Sequence, residues 1–150
     1  TQDDFIDWGT NEKYIKAIGI GECAGVVIDL IATLFLESEE KIDLAKNALN
    51  HKVYSNAVYF AYSSMVNSAK ALLLSENIKT NTQSSIISQF DEDFVQNNKI
   101  KLETSFSELI YQIRKYAPSA SFSEAYIHNA ESFLNVVRIY REQQQKLVKL

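Results

Sequence analysis

The residue types that most often do chemistry are sparse in this sequence. His51 and His128 are the only histidines, and Cys23 is the only cysteine. Neither histidine has a second histidine on its own predicted helix, so a structural or surface role is favoured for both. A lone cysteine forms no internal disulfide and no thiolate pair for zinc or an iron–sulfur cluster. The sequence predicts no catalytic residue and no metal site, although a pair assembled from distant positions stays open.

Two further patterns could mark ligand sites but have simpler interpretations. Gly19, Gly21 and Gly25 have a spacing that could bring the backbone close to a phosphate at a helix N-terminus. No second strand follows at the distance that a βαβ unit requires, so we interpret the glycines as a hinge and a close-packing site. The acidic run 91–93 could attract a metal ion, but a solvated turn of helix is the favoured interpretation.

The tyrosines are denser than a plain core requires. Buried tyrosine needs a partner for its hydroxyl, which makes it common at helix–helix and subunit interfaces. Packing is therefore the favoured role, and the alternative is a groove in which the rings stack on a base. The tyrosines concerned are Tyr54, Tyr59, Tyr62, Tyr111, Tyr116, Tyr126 and Tyr140.

The elements that position these residues are predicted to be helices. All four glycines lie in the first 25 residues, and Pro118 is the single proline. A β-rich fold needs tight turns rich in Gly, Pro or Asn-Gly, whereas long helices joined by short polar loops do not. The distribution favours an all-α, up-and-down bundle of about five helices, three of them long, in residues 22–150. Residues 1–21 are predicted to be an arm or linker.

Apolar periodicity gives the helix positions. One stripe predicts a long helix from Glu22 to about Asn50, with a break near Ser38 as the alternative, and a second stripe predicts a helix from about Tyr54 to Ser75. Thr82 is the predicted N-cap of a third, shorter helix. A fourth helix ends before Pro118. A capping box at 121–124 starts the last helix, which we expect to fray after Gln143.

Charge and hydropathy exclude some partners. The net charge is −4, and neither half of the chain is strongly basic, unlike most nucleic-acid binders. The longest apolar run spans residues 26–36, and it is shorter than the roughly 20 residues that cross a bilayer. No signal peptide is recognisable. We therefore expect a cytoplasmic protein that makes no contact with a membrane.

Residues 56–74, NAVYFAYSSMVNSAKALLL, resemble a helix shared by many bacterial and archaeal HEPN domains. Residues 86–95 resemble the element that follows in that family, and Arg114 with residues 124–137 matches its closing part. The resemblance covers about residues 39–145. It implies a HEPN-like helical bundle and a homodimer.

HEPN ribonucleases resemble one another in an arginine followed four to six residues later by a histidine. The pair meets across a dimer to bind phosphate and move the proton of a 2′-hydroxyl. Neither Arg114, Arg138 nor Arg141 has a histidine at that spacing. Without a group that titrates near neutrality, acid–base cleavage has no obvious agent.

Residues 13–30, KYIKAIGIGECAGVVIDL, look like the segment that closes certain bacterial proteins related to sulfite and nitrite reductases. This resemblance implies that the chain is the C-terminal tail of such an oxidoreductase. Siroheme and an iron–sulfur cluster would then belong to a missing parent domain, because the paired cysteines that hold them are absent here. No cofactor is predicted for the chain itself.

These observations predict a non-catalytic HEPN-like module for binding or assembly. The alternatives are a HEPN ribonuclease of toxin type, with His51 or His128 as its base, and a nucleotide-binding module. The predicted ligand is a nucleotide or RNA. The candidate binding residues, which helical spacing and the family pattern gather into one groove, are Tyr59, Tyr62, Lys70, Arg114 and Tyr116.

Overall fold

The computed structural model describes residues 20–149, with side chains described for residues 25–147. Residues 1–19 of the predicted arm, which spans residues 1–21, and the side chain of Cys23 lie outside these ranges. Within them the all-α prediction is confirmed, because five α-helices and no strand are present. The helices are α1 (Ile20–Asn50), α2 (Tyr54–Ser75), α3 (Gln83–Phe90), α4 (Phe106–Lys115) and α5 (Ala120–Lys149), and a π-helical segment, Asp91–Val95, continues α3.

The three long helices α1, α2 and α5 form the frame of the bundle. A three-residue corner after Asn50 turns α2 back along α1, and the Ser64 hydroxyl donates to the Ser38 carbonyl oxygen (2.8 Å) between them. Helix α5 also runs antiparallel to α1, since Lys46 pairs with Glu131 (2.9 Å) and an ion pair joins residues 39 and 138 further along. Helices α2 and α5 therefore run in the same direction. The α3–α4 segment carries the chain back between them.

An aromatic cluster forms the centre of the core, where α3, the π-helical segment, α4 and α5 meet. The Phe90 ring lies 4.8 Å from that of Phe106 and 5.3 Å from that of Phe133 between centroids, and Phe106 stacks on Phe133 at 4.6 Å. Each of these rings is almost fully buried. Burial of such large apolar groups is the main favourable contribution to folding.

Helix starts follow the local chemistry of hydroxyl caps. The prediction for Thr82 is confirmed, because its hydroxyl accepts a hydrogen bond from the Ser85 N–H (3.1 Å). The start of α5 differs from the predicted capping box at 121–124. Ser119 is the residue whose hydroxyl accepts from the Phe122 N–H (3.1 Å), and α5 begins at Ala120. Ser119 and Ser121 have the same capping chemistry, so the sequence alone does not show which of them caps α5.

Several helix boundaries differ from the predicted ones. Helix α1 begins at Ile20 and is continuous through Ser38, so Gly21 lies within the helix and not in a hinge. A Cβ built on Gly25 would meet nothing within 4 Å, so this glycine is not a close-packing site either. Helix α5 continues past Gln143 to Lys149. None of the helices within residues 20–149 has both the length and the apolar character needed to cross a membrane.

The acidic run at residues 91–93 is not a uniformly solvated turn. Asp91 is buried, with 6% of its surface exposed, whereas Glu92 is exposed. The Asp91 carboxylate accepts hydrogen bonds from the first residues of α4. The prediction was wrong for Asp91 because its partners lie 15 and 16 residues away in the sequence.

Candidate functional site

The candidate site lies where α2 and α4 meet, and its cation is Arg114. Tyr111 and Arg114 are three residues apart on α4, a spacing that places two side chains on the same helix face. The guanidinium carbon of Arg114 lies 4.1 Å from the centroid of the Tyr111 ring, in a cation–π contact. Arg114 itself is exposed. The ring therefore orients the guanidinium while leaving its N–H donors open to solvent.

Tyr62 joins this pair from α2. It is half-buried, and its hydroxyl donates a 2.8 Å hydrogen bond to Oε1 of Gln83 at the start of α3. Burial raises the pKa of Tyr62, and Tyr111 raises it further, while the positive charge of Arg114 acts in the opposite direction. Tyr62 and Tyr111 both pack against the main apolar core, and Arg114 lies over the Tyr111 ring. Tyr62 is neutral at physiological pH and serves as a hydrogen-bond donor.

Two further tyrosines, both exposed, lie close to these residues along the chain. Tyr59 lies one turn before Tyr62 on α2 and is 56% exposed, with its ring edge-on to Phe60. Tyr116 follows α4 and is 57% exposed, with its ring centroid 5.4 Å from that of Phe122. Each ring is supported on one side and free on the other. An aromatic ring held this way can stack on a planar ligand without being reoriented first.

The structure separates Lys70 from the other predicted residues. Lys70 lies eight residues beyond Tyr62 on α2, which is about 12 Å along the helix axis. It is half-buried and makes no hydrogen bond or ion pair with any of the described residues. Tyr59 and Tyr62 thus lie one turn apart on α2, Arg114 and Tyr116 lie at the end of α4, and Lys70 is separated from Tyr62 along α2.

Two residues of the site were not predicted as site residues. Tyr111 provides the ring beneath Arg114, and Gln83 accepts the Tyr62 hydroxyl. The three-residue spacing of Tyr111 and Arg114 could have revealed the first of these contacts. No local signal could have revealed the second, because Gln83 lies 21 residues from Tyr62. We refer to Tyr59, Tyr62, Tyr111, Arg114 and Tyr116 together as the Arg114 surface.

The Arg114 surface has the components of an anion site with stacking platforms. A guanidinium binds phosphate through charge-assisted hydrogen bonds, and exposed aromatic rings stack on bases of any sequence. It lacks a group that titrates near neutrality. His51 lies at the corner after α1, where its Nδ1 is 2.8 Å from the Asn47 carbonyl oxygen, and His128 lies on the exposed side of α5. Neither histidine shares a hydrogen bond or ion pair with Arg114 among the described residues of this single chain.

A groove lies elsewhere, between α1 and α5. It has a volume of about 440 Å³, with apolar side chains of α1 on one wall, among them Ile31 and Phe35, and polar side chains of α5 on the other. Arg138 in this groove pairs with Glu39, and burial lowers the pKa of Arg141. It has no exposed aromatic ring like those of the Arg114 surface. Nowhere in the described part of the chain do three potential ligands gather to hold a metal ion.

Comparison with known proteins gives the same picture of the fold. Residues 31–142 match the family described as HEPN domain. Two proteins of Methanocaldococcus jannaschii, each named as a candidate toxin, are similar to the chain. One is 31% identical over 117 residues, which cover 72% of this chain and 86% of the relative. The other is 26% identical over 117 residues, which cover 71% of this chain and 78% of the relative.

Proposed function

The chain belongs to the HEPN domain family, and from this premise we propose that it is a toxin-type HEPN module that binds single-stranded RNA through the Arg114 surface. The observation that carries the proposal is the stacking of the exposed Arg114 guanidinium on the Tyr111 ring, with the exposed Tyr116 two residues further along the chain. A phosphate at the guanidinium would place its neighbouring bases within reach of these rings. Relatives named as candidate toxins support the toxin type.

The mildly acidic net charge of −4 also bears on the mode of binding. A protein that holds RNA by many phosphate contacts needs a basic surface, and its affinity falls steeply with salt. Here one arginine and two stacking rings would supply most of the interaction. We therefore expect the affinity for RNA to fall only slightly as the salt concentration rises, because stacking releases no counterions.

Binding is tested with a short labelled single-stranded RNA, measured by fluorescence anisotropy. Arg114→Gln should weaken binding about tenfold, as expected for the loss of a charged hydrogen-bond donor. Lys115→Gln is the matched control, since it removes the same charge from an exposed neighbour on α4. Equal loss in the two variants would mean that general charge, and not the stacked guanidinium, holds the RNA. Full competition by a mononucleotide would favour a nucleotide-binding module instead.

RNA cleavage by a toxin-type HEPN domain is the second candidate function, and the two relatives are named as candidate toxins. No arginine of this chain has a histidine four to six residues later, so a cleaving site would need His51 or His128 from elsewhere, including from a second copy of the chain. Light scattering on the purified protein would show whether the proposed homodimer forms. Cleavage of RNA that disappears in His51→Ala or His128→Ala would make this function the correct one.

The reductase-like resemblance of residues 13–30 lies before the family match, which begins at residue 31. A role as the tail of a sulfite or nitrite reductase-like protein, with its siroheme and cluster in a parent domain, therefore stays a proposal. The residues encoded upstream of Thr1 would test it directly. Paired cysteines at cluster-binding spacing would support it, and their absence would contradict it.

A further inference from the structure

Asp91 is a buried carboxylate whose hydrogen bonds all go to the start of α4. Its Oδ1 accepts from the Phe106 N–H (2.6 Å), and its Oδ2 accepts from the Ser107 N–H (2.9 Å) and from the Ser107 hydroxyl (2.5 Å). No basic side chain of the described residues pairs with it. The first N–H groups of a helix lack partners within the helix and carry its positive dipole end, so a carboxylate is stabilised there.

The remaining N–H groups at this end of α4 are satisfied by Ser105. Its hydroxyl accepts from the Glu108 N–H (3.1 Å), and its carbonyl oxygen accepts from the Leu109 N–H (3.1 Å). Ser105 is a local cap that moves with α4. Asp91 differs because it belongs to a separate element, so its hydrogen bonds fix the start of α4 relative to the rest of the bundle.

The π-helical segment holds Asp91 in place. The Gln96 N–H donates to the Asp91 carbonyl oxygen (2.8 Å), the five-residue separation that defines a π turn. Phe90 and Phe94, on either side, are fully buried and stack on each other with centroids 5.0 Å apart. The backbone at Asp91 is thus anchored in the aromatic cluster. Single π turns of this kind recur at functional sites, where they redirect one side chain.

Beyond Asp91, helix α4 is anchored by its apolar side chains and by a hydrogen bond from the Tyr126 hydroxyl to the Ile110 carbonyl oxygen, near the middle of the helix. Phe106 and Ile110 are its only buried residues, and beyond Ile110 the helix leads to the half-buried Tyr111 and the exposed Arg114. Arg114 is eight residues from Phe106, about 12 Å along the axis, so a tilt of roughly 10° at the start of the helix would move it by about 2 Å. A displacement of that size is enough to spoil a site in which donors and rings must meet one ligand.

We propose that Asp91 is the positioning residue of the Arg114 surface: it fixes the N-terminus of α4 and thereby sets where Arg114 meets its ligand. The inference rests on the proposed RNA-binding function and deepens it. Asp91 touches no ligand. It acts through the backbone N–H groups of Phe106 and Ser107 and through the rigidity of one short helix.

Asp91→Asn tests the proposal, because the amide keeps the size of the side chain but replaces one acceptor oxygen by a donor. We expect about tenfold weaker binding of the labelled single-stranded RNA at a temperature where the variant is fully folded by circular dichroism. Glu92→Gln is the matched control, since it removes the same charge from the exposed neighbour, and it should bind within about twofold of the unmodified protein. Unchanged affinity in Asp91→Asn overturns the proposal.

A general loss of stability is excluded by a variant that weakens the core elsewhere. Ile42→Val removes one buried methyl group from α1 and is expected to cost about 1 kcal/mol without moving α4. Its RNA affinity should equal that of the unmodified protein. An equal loss of affinity in Ile42→Val and Asp91→Asn would show that stability alone accounts for the effect and would overturn the positioning role.

A readout that needs no RNA separates this inference from the proposed function. The Nε–H resonance of Arg114 in a ¹⁵N-labelled sample reports its placement over the Tyr111 ring, and Asp91→Asn should shift it while Glu92→Gln should not. If the unmodified protein binds no RNA, the proposed function fails and this shift alone decides the positioning role. If Asp91→Asn does not fold, Ser107→Ala replaces it, with about threefold weaker binding and a smaller shift expected. If Ser107→Ala changes neither the RNA affinity nor the Arg114 resonance, the inference is overturned.

Discussion

The hydroxyl of Tyr126 donates a 2.8 Å hydrogen bond to the carbonyl oxygen of Ile110. This bond joins α5 to α4 one turn before Arg114, and Tyr126 is fully buried. Burial raises the pKa of Tyr126, and the neighbouring Tyr62 raises it further. Helix α4 is therefore held at its start by Asp91 and near its middle by a hydroxyl whose proton is hard to remove.

Tyr126 should make the stability of the protein fall at alkaline pH. Its pKa is higher in the folded protein than the ordinary value of about 10 in the unfolded chain, so above that pH the folded state binds more protons. The free energy of unfolding should then decrease by roughly 1 kcal/mol from pH 10 to pH 11 through this group. Below pH 10 the contribution is fully present.

The measurement is urea unfolding followed by circular dichroism at several pH values, on the unmodified protein and Tyr126→Phe. The variant loses the hydrogen bond but keeps the ring, which should cost about 1 kcal/mol at neutral pH. It also keeps Tyr62 and Tyr140, whose pKa values are raised as well, so the difference between the two proteins isolates Tyr126. A difference that stays constant from pH 8 to pH 11 contradicts the prediction.

Ser123→Ala should stabilise the protein. The Ser123 hydroxyl is fully buried and finds no hydrogen-bond partner in the described part of the chain. Removing such a group relieves its desolvation cost, and alanine also favours the helix, so we expect a gain of about 1 kcal/mol in urea unfolding. Ser68→Ala is the control, because that buried hydroxyl donates to the Met65 carbonyl oxygen (3.0 Å). Similar changes in the free energy of unfolding of the two variants would show that the gain in Ser123→Ala does not come from the missing hydrogen-bond partner.

Lys52→Gly should also stabilise the protein. Lys52 has a φ of 62° at the corner between α1 and α2, a left-handed conformation that costs a residue with a side chain about 1–2 kcal/mol. Glycine adopts it freely, and after its larger loss of chain entropy we expect a net gain of about 1 kcal/mol in thermal or urea unfolding. Asn77→Gly is the comparison, since Asn77 has a φ of 61° but asparagine tolerates it better. An equal or larger gain in Asn77→Gly would refute this account.

Tyr59→Ala and Tyr116→Ala should each weaken RNA binding about tenfold, because stacking on an aromatic ring contributes about 1–3 kcal/mol per base. Tyr59→Phe and Tyr116→Phe keep the ring and should bind nearly as tightly as the unmodified protein. Leu36→Ala is the control for loss of an exposed apolar side chain, because Leu36 is 55% exposed in the groove between α1 and α5. Anisotropy titrations at fixed salt give all five affinities. Loss of affinity in the phenylalanine variants would show that hydrogen bonding by the tyrosine hydroxyls, and not stacking of the rings, holds the RNA.

Local chemistry made most helix positions predictable. The boundaries of α2 at Tyr54 and Ser75 and the cap at Thr82 follow from apolar periodicity and one hydroxyl, both of which act within a few residues. The start of α5 was placed at Ser121 instead of Ser119, because two serines with equal capping ability lie in one short stretch. Helix α5 continues past Gln143 through a polar sequence that carries no stop signal.

The sequence by itself determined the helical fold and its three long elements, because periodicity and the scarcity of helix breakers act locally. The resemblance of residues 56–74 to a helix of HEPN domains indicated the family. Only the tertiary structure decided which side chains meet. It laid Arg114 over the Tyr111 ring, left Lys70 about 12 Å from Tyr62 along α2, and buried Asp91 at the start of α4. From the local sequence alone, a charged side chain is predicted to be exposed to solvent. Whether water or another helix satisfies it depends on how helices distant in the sequence pack together.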